Sequence, residues 1–155
     1  MRRSFSLLFA VLALGLVAGC GGSETLAKDE YGREVVRARD RVDAALEHIT
    51  NSTDRTKAGL LARMKESADV IARAAGDLEA AGSAEGFDAE TEQLVKAFEQ
   101  LAVDLRSTAE QNEQPGFEHL LQGTQGLSFE SWVEANRVLN RLRGRGVDVR
   151  PLGKH

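Results

Sequence analysis

Residues 55–81 read RTKAGLLARMKESADVIARAAGDLEAA, and the spacing within them decides the fold class. Leu61, Met64, Ala68, Ile71, Ala75 and Leu78 recur at steps of 3-4-3-4-3. That spacing lines one stripe of an α-helix and fits neither face of a strand, whose side chains alternate with period two. The stripe alternates large side chains with alanines, so a neighbouring helix can approach closely. Gly82 follows as a left-handed stop at the helix end.

The same periodicity appears on both sides. Upstream, Tyr31, Val35, Ala38, Val42, Ala45 and Ile49 repeat at 4-3-4-3-4 within a helix expected over 26–49. Arg33, Glu34, Arg37, Arg39, Asp40, Arg41, Asp43 and Glu47 are assigned to its other faces. Thr53 or Asp54 is the expected N-cap of the helix over 55–81. Downstream, Asp88 is the expected N-cap of a helix over 89–111, which carries Leu94, Phe98, Leu101 and Leu105. Helices of similar length joined by short connections favour antiparallel neighbours.

Pro115 and Gly116 interrupt this run. A short helix is expected over 117–122, and Ser128 is placed to cap a fourth long helix over 129–143. Phe129, Trp132, Val133, Asn136, Leu139 and Leu142 are its expected buried side, with Asn136 a buried amide that fixes helix register. Gly144 and Gly146 end it. The expectation is therefore an all-α protein, an antiparallel bundle of about four helices in a domain over 26–146. An irregular basic tail follows over 147–155.

The first 19 residues read differently. Arg2 and Arg3 precede an almost wholly apolar stretch over 5–17, and Ala18 and Gly19 are small. This is the layout of a secretory signal peptide, and the apolar part falls short of the about 20 residues that a membrane-spanning helix needs. Val17-Ala18-Gly19-Cys20 resembles the lipobox of bacterial lipoproteins, with Val17 where leucine is usual. The resemblance implies that the Cys20 thiol receives diacylglycerol, that cleavage follows Gly19, and that Cys20 becomes the mature N-terminus. Two acyl chains hold a protein stably at a membrane where one does so only marginally. Residues 20–25 then act as lipidated cysteine and flexible tether, with a mean span of about 12 Å for five such residues. The hairpin from Asp77-Leu78-Glu79-Ala80 through Leu94, Phe98, Leu101 and Leu105 resembles small lipoproteins of high-GC Gram-positive bacteria. That likeness covers about a third of the chain and implies a place on the outer face of the cell membrane.

Composition narrows the functions further. Loss of residues 1–19 leaves 136 of the 155 residues, enough for one domain with a real core, and takes the formal charge from −4 to −6. An acidic balance disfavours nucleic acid as a partner. Cys20 is the only cysteine, so a lipidated chain has no thiol left for disulfides, zinc or a nucleophile. No Gly-x-Ser-x-Gly, Gly-x-Gly-x-x-Gly or phosphate-loop motif occurs. The expectation is thus no enzyme, no metal and no cofactor.

Two weaker constellations stand beside the lipid anchor. His48, Met64 and His119 are the side chains that could serve as axial ligands, so a haem or small-molecule binder within the bundle is the alternative function. Arg141, Arg143, Arg145 and Arg150 form a possible contact patch for anionic lipid or another anionic envelope component. The first two also suit the negative end of a helix dipole. The leading expectation is a membrane-anchored, extracytoplasmic lipoprotein with a non-enzymatic helical domain that binds an envelope protein or plays a structural part.

Overall fold

A computed structural model describes residues 25–51, 53–113 and 129–153. The described residues hold four α-helices: α1 (Lys28–Thr50), α2 (Lys57–Ala81), α3 (Asp88–Glu113) and α4 (Glu130–Gly144). Helices adjacent in sequence pack directly against one another, whereas α1 and α4 hardly touch. Two cross-links along each pair show that each neighbour runs antiparallel to the last: Arg41–Asp77 and Ala45–Ser67, Lys65–Glu113 and Asp69–Arg106, Gln93–Arg141 and Asp104–Ser131. The expected short helix over 117–122 and the Ser128 cap lie outside the described residues.

All six expected stripe residues of α1 and all six of α2 are buried, as are Leu94, Phe98, Leu101 and Leu105 of α3. Their seams meet in one core. Ala68, Ala74 and Ala75 have no exposed surface, and these small side chains let α2 sit centrally between α1 and α3.

The helix ends fall within two residues of expectation, and α2 ends at Ala81 as expected. Thr56, rather than Thr53 or Asp54, caps α2, its hydroxyl accepting the Gly59 amide at 3.1 Å. Asp54 instead turns its carboxylate onto the Thr56 amide at 2.9 Å, which moves the helix start onward. That bond holds the Asp54 carboxyl below the ordinary aspartate range. Asp88 lies inside the first turn of α3, because the Phe87 carbonyl already accepts the Thr91 amide. Gly82 ends α2 at φ +82, a region open to glycine at little cost.

The largest corrections concern α4 and the C-terminal segment. The buried residues of α4 are Ser131, Ala135, Val138, Leu139 and Leu142, while Val133 is 40% exposed. The buried face is rotated because α4 meets α3 through small residues and turns its Trp132 side toward the C-terminal segment. That segment, 146–153, is irregular as expected but is no free tail. Val147, Val149, Pro151 and Leu152 are all buried, and they fill the gap between α1 and α4. Val147 lies against Gly32, and Gly153 against the Trp132 ring. The core therefore runs through Leu152. No helix among the described residues is long and apolar enough to cross a membrane.

Two neighbouring substitutions in α2 test this arrangement by equilibrium urea unfolding. Ala75→Leu forces extra volume into a filled seam and should lower stability by about 1–3 kcal/mol. Gly76 has open space where a Cβ would stand, so Gly76→Ala should raise stability by about 1 kcal/mol.

Candidate functional site

The residues singled out from the sequence fall in three places. Val17, Ala18, Gly19, Cys20 and His119 lie outside the described residues. The chain just before α1 is held in place: the Leu26 amide donates to the Ser83 carbonyl at 3.0 Å, and Leu26 bridges Ala84 in parallel. The chain thus enters the fold at the end of the bundle where α2 hands over to α3.

His48 and Met64 are kept apart by their surroundings. Met64 has no exposed surface and belongs to the core. His48 is exposed near the end of α1, its Nε2 3.4 Å from Glu66 Oε2. Among the described residues no three His, Cys, Asp or Glu side chains converge to hold a metal ion.

The four arginines of the expected basic patch have different surroundings. Arg145 binds Glu90 at 2.6 Å and lies 4.1 Å from the centre of the Phe87 ring. The hydrogen bond from Arg145 holds the Glu90 carboxyl below the ordinary glutamate range. Lys28 shares the same ring at 5.8 Å and donates to the Arg145 carbonyl at 2.9 Å. Arg141 donates to Gln93 and stands 3.9 Å from Glu134. Arg143 is exposed at the end of α4. Arg150 is exposed in the C-terminal segment, next to a residue bound to the middle of α1. Arg145 is spent on the fold, and Arg150 sits away from the end of α4.

Beneath Phe87, Tyr31 joins α1 to α3. The two rings lie 5.2 Å apart, and the Thr91 hydroxyl is 2.9 Å from the Tyr31 hydroxyl. Burial pushes the Tyr31 pKa above its ordinary value, with the Thr91 hydrogen bond opposing that rise.

A polar cluster that the periodicity places among solvated residues is instead buried. Arg39 and Asp43 are only 4% and 5% exposed. Arg39 Nη2 lies 3.1 Å from Asp43 Oδ2 and donates to the Pro151 carbonyl at 2.8 Å, while Nη1 donates to Asp40 at 2.7 Å. Asp43 Oδ1 accepts the Gly153 amide at 2.7 Å. From the other wall, Asn136 Oδ1 accepts the Leu152 amide at 2.7 Å. Asn136 therefore holds the C-terminal segment and is only half-buried, in place of the register-setting role expected of it. The sequence signal for the pair was thin. Arg39 and Asp43 stand at i and i+4, each one step past a stripe residue, Ala38 and Val42.

Grooves remain on the surface. One of about 840 Å³ runs along the outer side of α1 beside the C-terminal segment, with Val36 and Val147 among Lys28, Arg33, Arg37 and Asp148. Arg37 is tied to Glu34 at 2.6 Å. A second of about 830 Å³ lies between α3 and α4, with Ala97 and Val103 beneath Glu99, Glu130 and Glu134. Both are open to solvent. Comparison with protein-family models, with curated proteins and with solved structures finds no match.

The buried pair makes a test by chemical denaturation. Asp43→Ala takes one of two carboxylates from the buried guanidinium, which keeps Asp40 beside it, and strips the Gly153 amide of its acceptor; it should cost about 1–3 kcal/mol.

Proposed function

We propose that the chain is an extracytoplasmic lipoprotein, held on the cell membrane by diacylglycerol on Cys20. Its four-helix domain works without catalysis, through contact with an envelope protein or an anionic envelope component. The observation that carries this reading is the order of residues 2–20: two arginines, an apolar run, a small pair and the single cysteine. Support also comes from the position of the domain, whose first anchored residue, Leu26, follows Cys20 by only six residues. A lipid on Cys20 would hold the fold close to the bilayer with no transmembrane element.

The alternative is a haem or small-molecule binder in the bundle interior. Alanine-lined seams with fully buried side chains at Met64, Ile71, Leu94 and Phe98 favour the first reading. An absorption band of bound haem in the purified protein would favour the second.

The deciding experiment is Cys20→Ser in the native cell. The substituted protein should leave the detergent phase and lose metabolic labelling by a fatty-acid analogue, or accumulate unprocessed, with its helical circular dichroism unchanged. Unaltered partitioning and labelling would contradict the proposal.

A further inference from the structure

We propose that the C-terminal segment is an acid-released strap. Carboxylates fasten it at both ends, and protonating them lets residues 146–153 open alone while the helices stay packed on one another.

The two fastenings are well buried. At the start of the strap, Arg145 stands between Gly144 and Gly146, and Gly146 is at φ +86, so the chain pivots there. Arg145 Nη1 lies 2.6 Å from Glu90 Oε1, and the Glu90 side chain is 17% exposed. At the far end, buried Asp43 accepts the Gly153 amide and pairs with Arg39, which donates to the Pro151 carbonyl. Ion pairs between helices are different. Asp77, Glu113 and Asp69, which pair with Arg41, Lys65 and Arg106, are all more than half exposed. The seams that join α1 to α2 and α2 to α3 are built from buried apolar side chains, which protonation does not touch.

Acid therefore acts on the strap first. Hydrogen bonds to a charged partner are roughly twice as strong as neutral ones, and protonation turns both fastenings into the weaker kind. Among the described residues, Glu90 faces Arg145 and Arg141 from the end of α4 and Tyr31 from α1, with Asp88 on its own helix. Lys28 stands over the same Phe87 ring as Arg145. The Arg145 hydrogen bond holds the Glu90 carboxyl below the ordinary glutamate range. That fastening is intact above the range and is lost as pH falls through the lowered value. Asp43 faces Arg39 and Asp40 on α1 and the Gly153 amide of the strap. Across the strap stands Asn136, an uncharged amide that holds Leu152.

Amide exchange of the purified protein, read from neutral pH in steps down to pH 3 and corrected for intrinsic rates, tests the release. At neutral pH, Leu152 and Gly153 should be as protected as Leu101 in α3. In acid their protection should fall about tenfold below that of Leu101, with helical circular dichroism retained. Asp43→Asn combined with Glu90→Gln copies the protonated charges and keeps the acceptor oxygens, and it should show the same gap at neutral pH. Glu90→Gln alone should show part of it. Protection of Leu152 and Gly153 that stays level with Leu101 through the acid range overturns the proposal. A gap that opens in acid but is absent from both variants at neutral pH overturns it as well, because other groups would then release the strap.

Discussion

A salt bridge buried where α1 faces the C-terminal segment is the constraint on which the closed form of this domain depends. Three helix pairs close directly, seam against seam, but α1 and α4 leave a gap that, among the described residues, 146–153 fill. An irregular segment brings unpaired backbone groups with its side chains, and burying them unmet is costly. Arg39, Asp43 and Asn136 meet them: Arg39 takes the Pro151 carbonyl, Asp43 the Gly153 amide and Asn136 the Leu152 amide. The ion pair in turn is tolerable in a buried place because its charges satisfy one another and the backbone at once. Remove Arg39 and the buried Asp43 carboxylate loses its counter-charge; remove Asp43 and the guanidinium keeps Asp40, but the Gly153 amide loses its acceptor. The polar clamp and the apolar filling by Val147, Val149 and Leu152 stabilise the fold together.

This division explains which parts of the fold were legible in the sequence. The stripes of α1, α2 and α3 each face a helix, and a helix facing a helix must repeat at 3 and 4. Tyr31 through Ile49 and Leu61 through Leu78 therefore declared themselves. α4 faces a helix on one side and an irregular segment on the other. Ser131 and Ala135 carry little hydrophobic signal yet are buried, while Val133 carries a strong one and is exposed. Residues 147–152 have no helical period at all. Val147 and Val149 alternate with charged neighbours, a run too short to signal burial. Arg39 and Asp43 were hidden by their charge, since a charged pair one step off an apolar stripe reads as solvated surface.

The candidate sites divided along similar lines. Lipidation of Cys20 is a reading of residues 1–20, and it is independent of how the helices pack. The basic cluster depended on treating Arg141, Arg143, Arg145 and Arg150 as neighbours in space because they are neighbours in sequence. Arg145 bends back onto Phe87 and Glu90, and Arg150 travels with the segment toward the middle of α1. His48 and Met64 share two adjacent helices, but one belongs to solvent and the other to the core. These assignments leave a domain whose interior is filled by its own side chains and whose outer surfaces and ends are what other molecules meet.

Amide hydrogen exchange of the native protein tests the central claim most directly, because the Leu152 and Gly153 amides are held by the clamp itself. If the C-terminal segment closes the bundle, both amides should open only with the whole domain, as slowly as those of Leu101 and Leu139 in the helical core. Exchange of Leu152 and Gly153 at the rate of a free chain, with α3 still protected, would contradict it.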